Sequence, residues 1–424
     1  MFFRNRLKEI REMTKRTICT IFTILLIFAA LPLFGAAQKE SVKDKVKLEF
    51  FQNKEEAVGT FNELIAKFEA EYPNIDIEQN NVPEFATVLM TRLATNDIPA
   101  IIAMGATSDW AELAKAGYLH DFTGDPCIDK VHEGYFDQLK RQTGLNGLYG
   151  LPFAVNANTV LYNKAKFREL GLSVPKTWDE FIATAETCKA AGQTPFYLTL
   201  KDAWTGMVAF NALAANLQGD DFIDKRRTND TTFQTRYVDV AEKMLTILKY
   251  GQDDNFGFGY DDGNTAFAKG ESVMYIQGVW AIGSIQSANP DIEIGTFAMP
   301  VLNDPNKNRL VSGVDTLFAL AKNTEYTKEA LLFINFLLEP ENAQYYIDQQ
   351  KQFSAVKGAI QKDPVMEGIQ VNFKKGLITG FPDHFYPAGM QVPNLVQEFL
   401  INGNVGEFLK IMDDEWDKVQ QRQE

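Results

Sequence analysis

Three aromatic side chains, Trp204, Trp280 and Phe381, lie off any periodic apolar face and in stretches rich in Gly, Asp or polar residues. Trp204 sits in Lys201-Asp202-Ala203-Trp204-Thr205-Gly206, Trp280 follows Gly278, and Phe381 opens Phe381-Pro382-Asp383-His384-Phe385-Tyr386. Five polar residues in comparable settings, Lys54, Asn156, Asp315, Asp383 and His384, complete a set with one definite use. A lysine beside a carboxylate serves two vicinal hydroxyls at once, because one group donates and the other accepts charge-assisted hydrogen bonds. An aromatic ring covers the C–H face of a pyranose while amides and charged groups bond its hydroxyl equator. The set therefore fits a polyhydroxylated ligand. Trp110, Trp178 and Trp416 stand on helical stretches and read as core.

Each of these residues also has a plainer reading. Lys54 could be a solvated helix start, and Asp315, after the glycine of Ser312-Gly313-Val314-Asp315, an exposed cap. Catalysis is poorly supported, and no catalytic residue is assigned. The three histidines (His120, His132, His384) lack metal-ligand spacing, and no P-loop, G-x-S-x-G, C-x-x-C or H-E-x-x-H motif is present. Asp253, Asp254, Asp261 and Asp262 do not follow an EF-hand spacing. Tyr345 and Tyr346 are neighbours on one helix and point in different directions. No metal or cofactor is expected.

The N-terminus reads as a targeting segment. The apolar run Ile18–Phe34 is interrupted by Pro32 and is short for a membrane span of about 20 residues. Small residues at Gly35-Ala36-Ala37 place cleavage before Gln38, so residues 1–37 form a signal peptide, with a retained anchor as the rival. Met13 stands closer to the apolar core than Met1 does and is the alternative start. No cysteine follows a small-residue pair near the cleavage point, so a lipid anchor is not supported and the mature chain is periplasmic or extracellular. The whole chain carries net −14 and its first 37 residues +4, which leaves −18 for the remainder. That balance disfavours nucleic acid and anionic membranes. Cys127 and Cys188 remain, as one bridge or two buried thiols. The mature length exceeds one core, so two domains are expected.

The elements that must position these residues begin as strand and helix in alternation. Strands are predicted at Val46–Phe51, from Ile75 to Val82, and at Ile101–Met104. Between them come a helix carrying Phe61, Ile65, Phe68 and Tyr72 on one face and a second opened by Pro83; a third ends at Gly117. This is the pattern of a doubly wound α/β sheet, whose ligands sit beyond the carboxyl ends of the strands. Gln52-Asn53-Lys54 and Gly105-Ala106-Thr107-Ser108 lie at two such ends, which adds Thr107 to the candidates. Asn156-Ala157-Asn158 reads as a polar loop, Gly278 and Gly313 as turns, and 179–285 as mostly helical.

Several separated stretches carry a resemblance. Tyr149–Phe181 contains Gly-Leu-Pro, then Tyr-Asn-Lys, a helix ended by Gly171, and Pro-Lys-Thr-Trp-Asp-Glu-Phe. Phe267–Trp280 reads FAKGESVMYIQGVW. Together they closely resemble bacterial extracellular solute-binding proteins of the carbohydrate type. The shorter motifs EFFQNK, NDIP, GVD and FPDH resemble the subgroup for raffinose-, melibiose- or isomaltose-type oligosaccharides. Two departures are Val273 for the usual Ala and Ala100 for the usual Asp after Pro99. The resemblance implies an α/β, two-lobed periplasmic-binding-protein fold with discontinuous lobes, 38–153 with 302–344 and 154–301 with 345–424, hinged near Pro152, Pro300 and Pro340. It implies that Lys54, Asp315, Asp383 and His384 hold a terminal sugar on which Trp204 and Phe381 stack. It also implies a monomer that hands oligosaccharide to the membrane subunits of an ABC transporter, with no enzymatic step. Two rivals are a polyamine cargo, which the acidic surface favours and Lys54 opposes, and a glycosidase using Asp315 with Asp383.

Overall fold

The computed structural model describes residues 45–95 and 97–423. Residues 1–37, expected to be a signal peptide, and Asn96 of the NDIP stretch lie outside the described residues. Strand β1 (Val46–Gln52) is flanked by β2 (Ile75–Asn80) and β3 (Ile101–Met104), both parallel to it. Its inner half is buried on both faces, as a parallel sheet covered by helices requires. Phe50 meets Phe61 and Phe333 edge-on at 5.0 and 5.5 Å, while Phe51 on the opposite face stacks on Phe85 at 4.5 Å.

Two long strands carry the chain between lobes. Strand β4 (Leu151–Asn163) pairs antiparallel with β7 (Leu310–Leu320) through Ala157, and from Asn158 onward with β5 (Met274–Gly278) and β6 (Ile294–Phe297). Strand β7 in turn joins β3, and the short β8 (Phe353–Ser354) joins β4 while β9 (Ile378–Thr379) joins β7. The order is β2-β1-β3-β7-β4-β5. The architecture is α/β with two lobes, one on the parallel strands and the other on β5, β6 and the middle helices.

Three sequence expectations change here. Asn156-Ala157-Asn158 is no loop but the centre of β4, Ser312–Asp315 is no turn but the centre of β7, and Gly278 ends strand β5. The first two face each other in register, Asn156 opposite Gly313 and Ala157 opposite Ser312. Polar residues survive in buried strands because they satisfy one another: Ser312 Oγ donates to the Asn156 carbonyl at 2.7 Å, and Asn158 Nδ2 to the Val208 carbonyl at 3.1 Å. Gly278 is required because a Cβ there would lie inside the folded-back Trp280 ring.

The apolar side chains form separate cores. Tyr346, Ile347, Ala355 and Val356 pack with β1 and β3, whereas Leu310, Val311 and Met366 pack with the lobe of β5 and β6. Cys127 and Cys188 are free thiols in two different cores, and burial pushes both up to about 11. Trp110 and Trp416 are fully buried and Trp178 nearly so, as expected. Among the described residues no helix is long and apolar enough to cross a membrane.

Candidate functional site

Where β1 gives out, Lys54 opens a 3₁₀ turn (Glu55–Ala57), its amide held by the side chain of Gln52. Its ammonium reaches Asp315 Oδ1 at 2.6 Å on β7, two strands away across β3, with the two side chains only 15% and 7% exposed. Asn156 Nδ2 donates to the same oxygen at 2.6 Å and Gln352 Nε2 to Oδ2 at 2.8 Å. Burial works to lower the Lys54 pKa, but the charges of Asp315 and Glu56 and the Asp315 hydrogen bond outweigh it and hold the amine above its ordinary value. The carboxylate of Asp315 is thus taken up by three donors from three segments. It orients Lys54, which keeps two N–H donors in hand, and Asn156, whose Oδ1 is buried without a partner.

Opposite this knot stands the turn Pro382–Phe385. Asp383 is anchored by its amide to Asn211 Oδ1 at 3.3 Å, leaving carboxylate Oδ1 buried and unpartnered. His384 Nδ1 is likewise unpartnered. Burial raises the Asp383 pKa against the opposing charge of His384. Burial also lowers that of His384, against the charges of Asp383 and Asp315. The Phe381 ring stacks on His384 at 4.9 Å and 19°, and lies so close to Gly313 that a Cβ there would sit 3.0 Å from it. Phe381 therefore has one face covered by His384 and is 7% exposed. Gln142 bridges the two sides of the cleft, donating from Nε2 to the Ala106 carbonyl and, at 3.2 Å, to the His384 carbonyl.

The aromatic wall comes from the other lobe. Asp202 Oδ2 accepts the amide of Tyr260 at 2.7 Å, tying the Trp204 turn to the helix Tyr260–Ala268; a Cβ on Gly259 would meet that oxygen at 2.6 Å. Trp204 lies 5.1 Å from Tyr260 and 6.4 Å from Trp280, and at 41% it is among the most exposed large apolar side chains. A ring left open to water beside a polar cleft is available to a ligand.

Eight of the nine predicted residues thus gather in two polar clusters and one aromatic wall. Thr107 instead caps the helix Ser108–Lys115, its hydroxyl oxygen accepting the Trp110 amide at 3.4 Å. Sequence reasoning missed Gln352, Gln142 and Asn211. Gln352 lies 37 residues from the carboxylate it serves, and no local pattern marks an amide for such a contact.

Paired charges, unpartnered buried polar atoms and an open aromatic wall form the set of hydrogen-bonding and stacking groups that suits a binding protein. Residues 53–344 match the family described as bacterial extracellular solute-binding protein, and the chain belongs to that family. It is 32% identical over 334 residues to the multiple sugar-binding protein of Streptococcus mutans, covering 75% of this chain and 77% of that one. Its fold is similar to that of the solute-binding protein RafE in complex with raffinose, with TM-score 0.80 and 26% identity over 89% of this chain and all of that one. The apo form of RafE from Streptococcus pneumoniae superposes with TM-score 0.72 and 27% identity, over 89% of this chain and 98% of that one.

Proposed function

We propose that this protein binds the terminal sugar of an oligosaccharide, of the α-1,6-linked galactoside or glucoside type, between its lobes and delivers it to the membrane subunits of an ABC importer. The observation that carries this reading is the knot at Asp315. A buried carboxylate holds Lys54 and Asn156 ready, opposite the unpartnered oxygen of Asp383 and nitrogen of His384 and beside the Trp204–Trp280 wall. Its relatives named for multiple sugars and raffinose support a carbohydrate cargo. A polyamine would have to sit against the Lys54 ammonium, and Asp315, saturated by donors, is a poor acid or nucleophile for hydrolysis. Trp280 and Trp204 would cover the sugar's apolar face, with Phe381 backing His384 from behind.

The protein acts as an exported monomer without a cofactor. The segregation of the cores supports lobes of 46–156 with 312–362 and 157–311 with 363–423 in place of the bounds expected above, with a hinge where β4 and β7 change partners. A ligand touching both lobes favours a closed form by its differential affinity for it.

The experiment is a thermal-shift and calorimetric screen of the mature protein against raffinose, melibiose, isomaltose, maltose, fructo-oligosaccharides and spermidine. A ligand at 100 times its Kd adds about 2.7 kcal/mol to the native state. A rise in Tm with α-1,6-linked sugars alone is expected. A response to spermidine and to no sugar overturns the cargo.

A further inference from the structure

The turn Pro382–Phe385, which carries Asp383 and His384, belongs by packing to the lobe of β5 and β6. Phe381 and Tyr386 on either side of it are buried in that core, and the Tyr386 hydroxyl meets the Tyr237 hydroxyl. From the lobe of the parallel strands it is reached by the helix Glu133–Thr143, which packs there through Phe136 and Leu139. Gln142 on that helix is 5% exposed, and its amide nitrogen has two hydrogens to give. One goes to the Ala106 carbonyl of its own lobe and the other, at 3.2 Å, to the His384 carbonyl of the opposite lobe. Gln138, one turn earlier on the same face, would lie 3.3 Å from a Cβ on Gly313, where the Phe381 ring is seated. Beside this contact a cavity of about 210 Å³ separates the helix Ser108–Lys115 from Arg227, Trp416 and Gln420, so the lobes meet there through the turn and not through a packed core.

A hydrogen bond between lobes exists only in arrangements that bring its partners together, and a hinge movement at β4 and β7 breaks it. Here it holds the turn beside Gly313, two residues from Asp315 on β7. It is therefore made in the arrangement that sets Asp383 and His384 against the Lys54–Asp315 pair. We propose that Gln142 is a positioning residue for the sugar site. Through the His384 carbonyl it fixes the turn to the opposite lobe in the sugar-holding arrangement, and so slows release without touching the sugar. This inference rests on the carbohydrate reading above. A hydrogen bond made in one arrangement and lost in the other shifts the balance by its own net strength, which is a factor of roughly 2 to 10 in affinity.

The test uses two replacements of nearly the same size: Gln142→Met, which removes the donor, and Gln142→Glu, which turns an acceptor toward the two carbonyls. Calorimetry with melibiose, isomaltose and raffinose gives the affinities, and stopped-flow tryptophan fluorescence gives the rates. Gln142→Met is expected to weaken every sugar that the wild-type protein binds by one common factor of roughly 2 to 10. The loss should lie in faster dissociation, with association unchanged. Gln142→Glu is expected to lose more. The methionine also removes the buried Oε1 that has no partner, so the unliganded Tm should stay close to that of the wild type. Wild-type affinities in both variants, with or without a lower Tm, would make Gln142 a structural residue and overturn the proposal. A loss that differs between sugars would make it a sugar contact and overturn it equally, as would a loss carried by slower association. A wild-type protein that binds none of these sugars overturns the carbohydrate reading itself, and the role of Gln142 with it.

Discussion

Replacing Asp315 by alanine would remove the one acceptor shared by Lys54, Asn156 and Gln352. Taking one partner from a buried pair costs about 3–5 kcal/mol, because the other charge stays desolvated. The Lys54 side chain keeps 15% exposure, which places its share toward the lower end. Two amide donors then lose their acceptor at about 1 kcal/mol each if water reaches them. The loss from Asp315→Ala is therefore about 5 kcal/mol, a large part of an ordinary stability of about 5–15 kcal/mol and, at about 2.1 cal/mol/K per residue, a Tm fall of roughly 6 °C. Lys54→Met also costs stability, but the double variant Lys54→Met with Asp315→Ala should recover part of the loss, because no charge is left buried. A double-mutant cycle by urea unfolding, followed by tryptophan fluorescence at pH 7, should give a coupling of about 2–3 kcal/mol. Sugar affinity stays lost in all three variants. If the two single effects add to within about 0.5 kcal/mol, the knot is not a coupled unit and Asp315 does not orient Lys54.

Gly278→Ala places a methyl group within the Trp280 ring, so the ring must leave its seat. Calorimetry should then show affinity reduced by roughly 2- to 10-fold, the worth of one aromatic contact, together with a shifted emission maximum; unchanged values would remove Trp280 from the site. The pH dependence of the unliganded protein should carry the signature of His384. Its pKa is depressed below the ordinary 6.5 by burial, so its contribution to stability is present above 6.5 and lost as pH falls through the folded-state value. The Tm difference between wild type and His384→Gln, measured from pH 7.5 to 4.5, should shift toward the variant at the acid end, and a flat difference would refute this.

Much of the fold was legible because its elements obey local rules. The alternation of Leu48, Phe50 and Phe51 with helix-spaced Phe61, Ile65 and Phe68 predicts parallel strands under helices, and the chain folds so. Glycines at Gly117, Gly171 and Gly270 end helices at positive φ, as a residue without a Cβ allows. Site chemistry was legible wherever a charge or ring stood in a polar stretch, as at Lys54, Trp204 and the turn of Asp383 and His384. Reading failed where polar residues lie inside strands. Asn156 and Asp315 broke the apolar pattern of β4 and β7 and so looked like loop and turn residues, although the Asn156 amide donates to the Asp315 carboxylate across the ladder.

By itself the sequence determined the class of the molecule: α/β, built around a cleft lined with aromatics and a Lys–Asp pair. Short-range spacing and side-chain chemistry suffice for that. Only the tertiary structure decided which groups are spent and which remain free. Asp315 turned out saturated by Lys54, Asn156 and Gln352, Thr107 by its helix, and one face of Phe381 by His384. Oxygen and nitrogen atoms on Asn156, Asp383 and His384 stayed unpartnered. Partners such as Gln352 arrive from distant segments, and hydrogen-bond satisfaction is a property of the packed chain that no local pattern encodes.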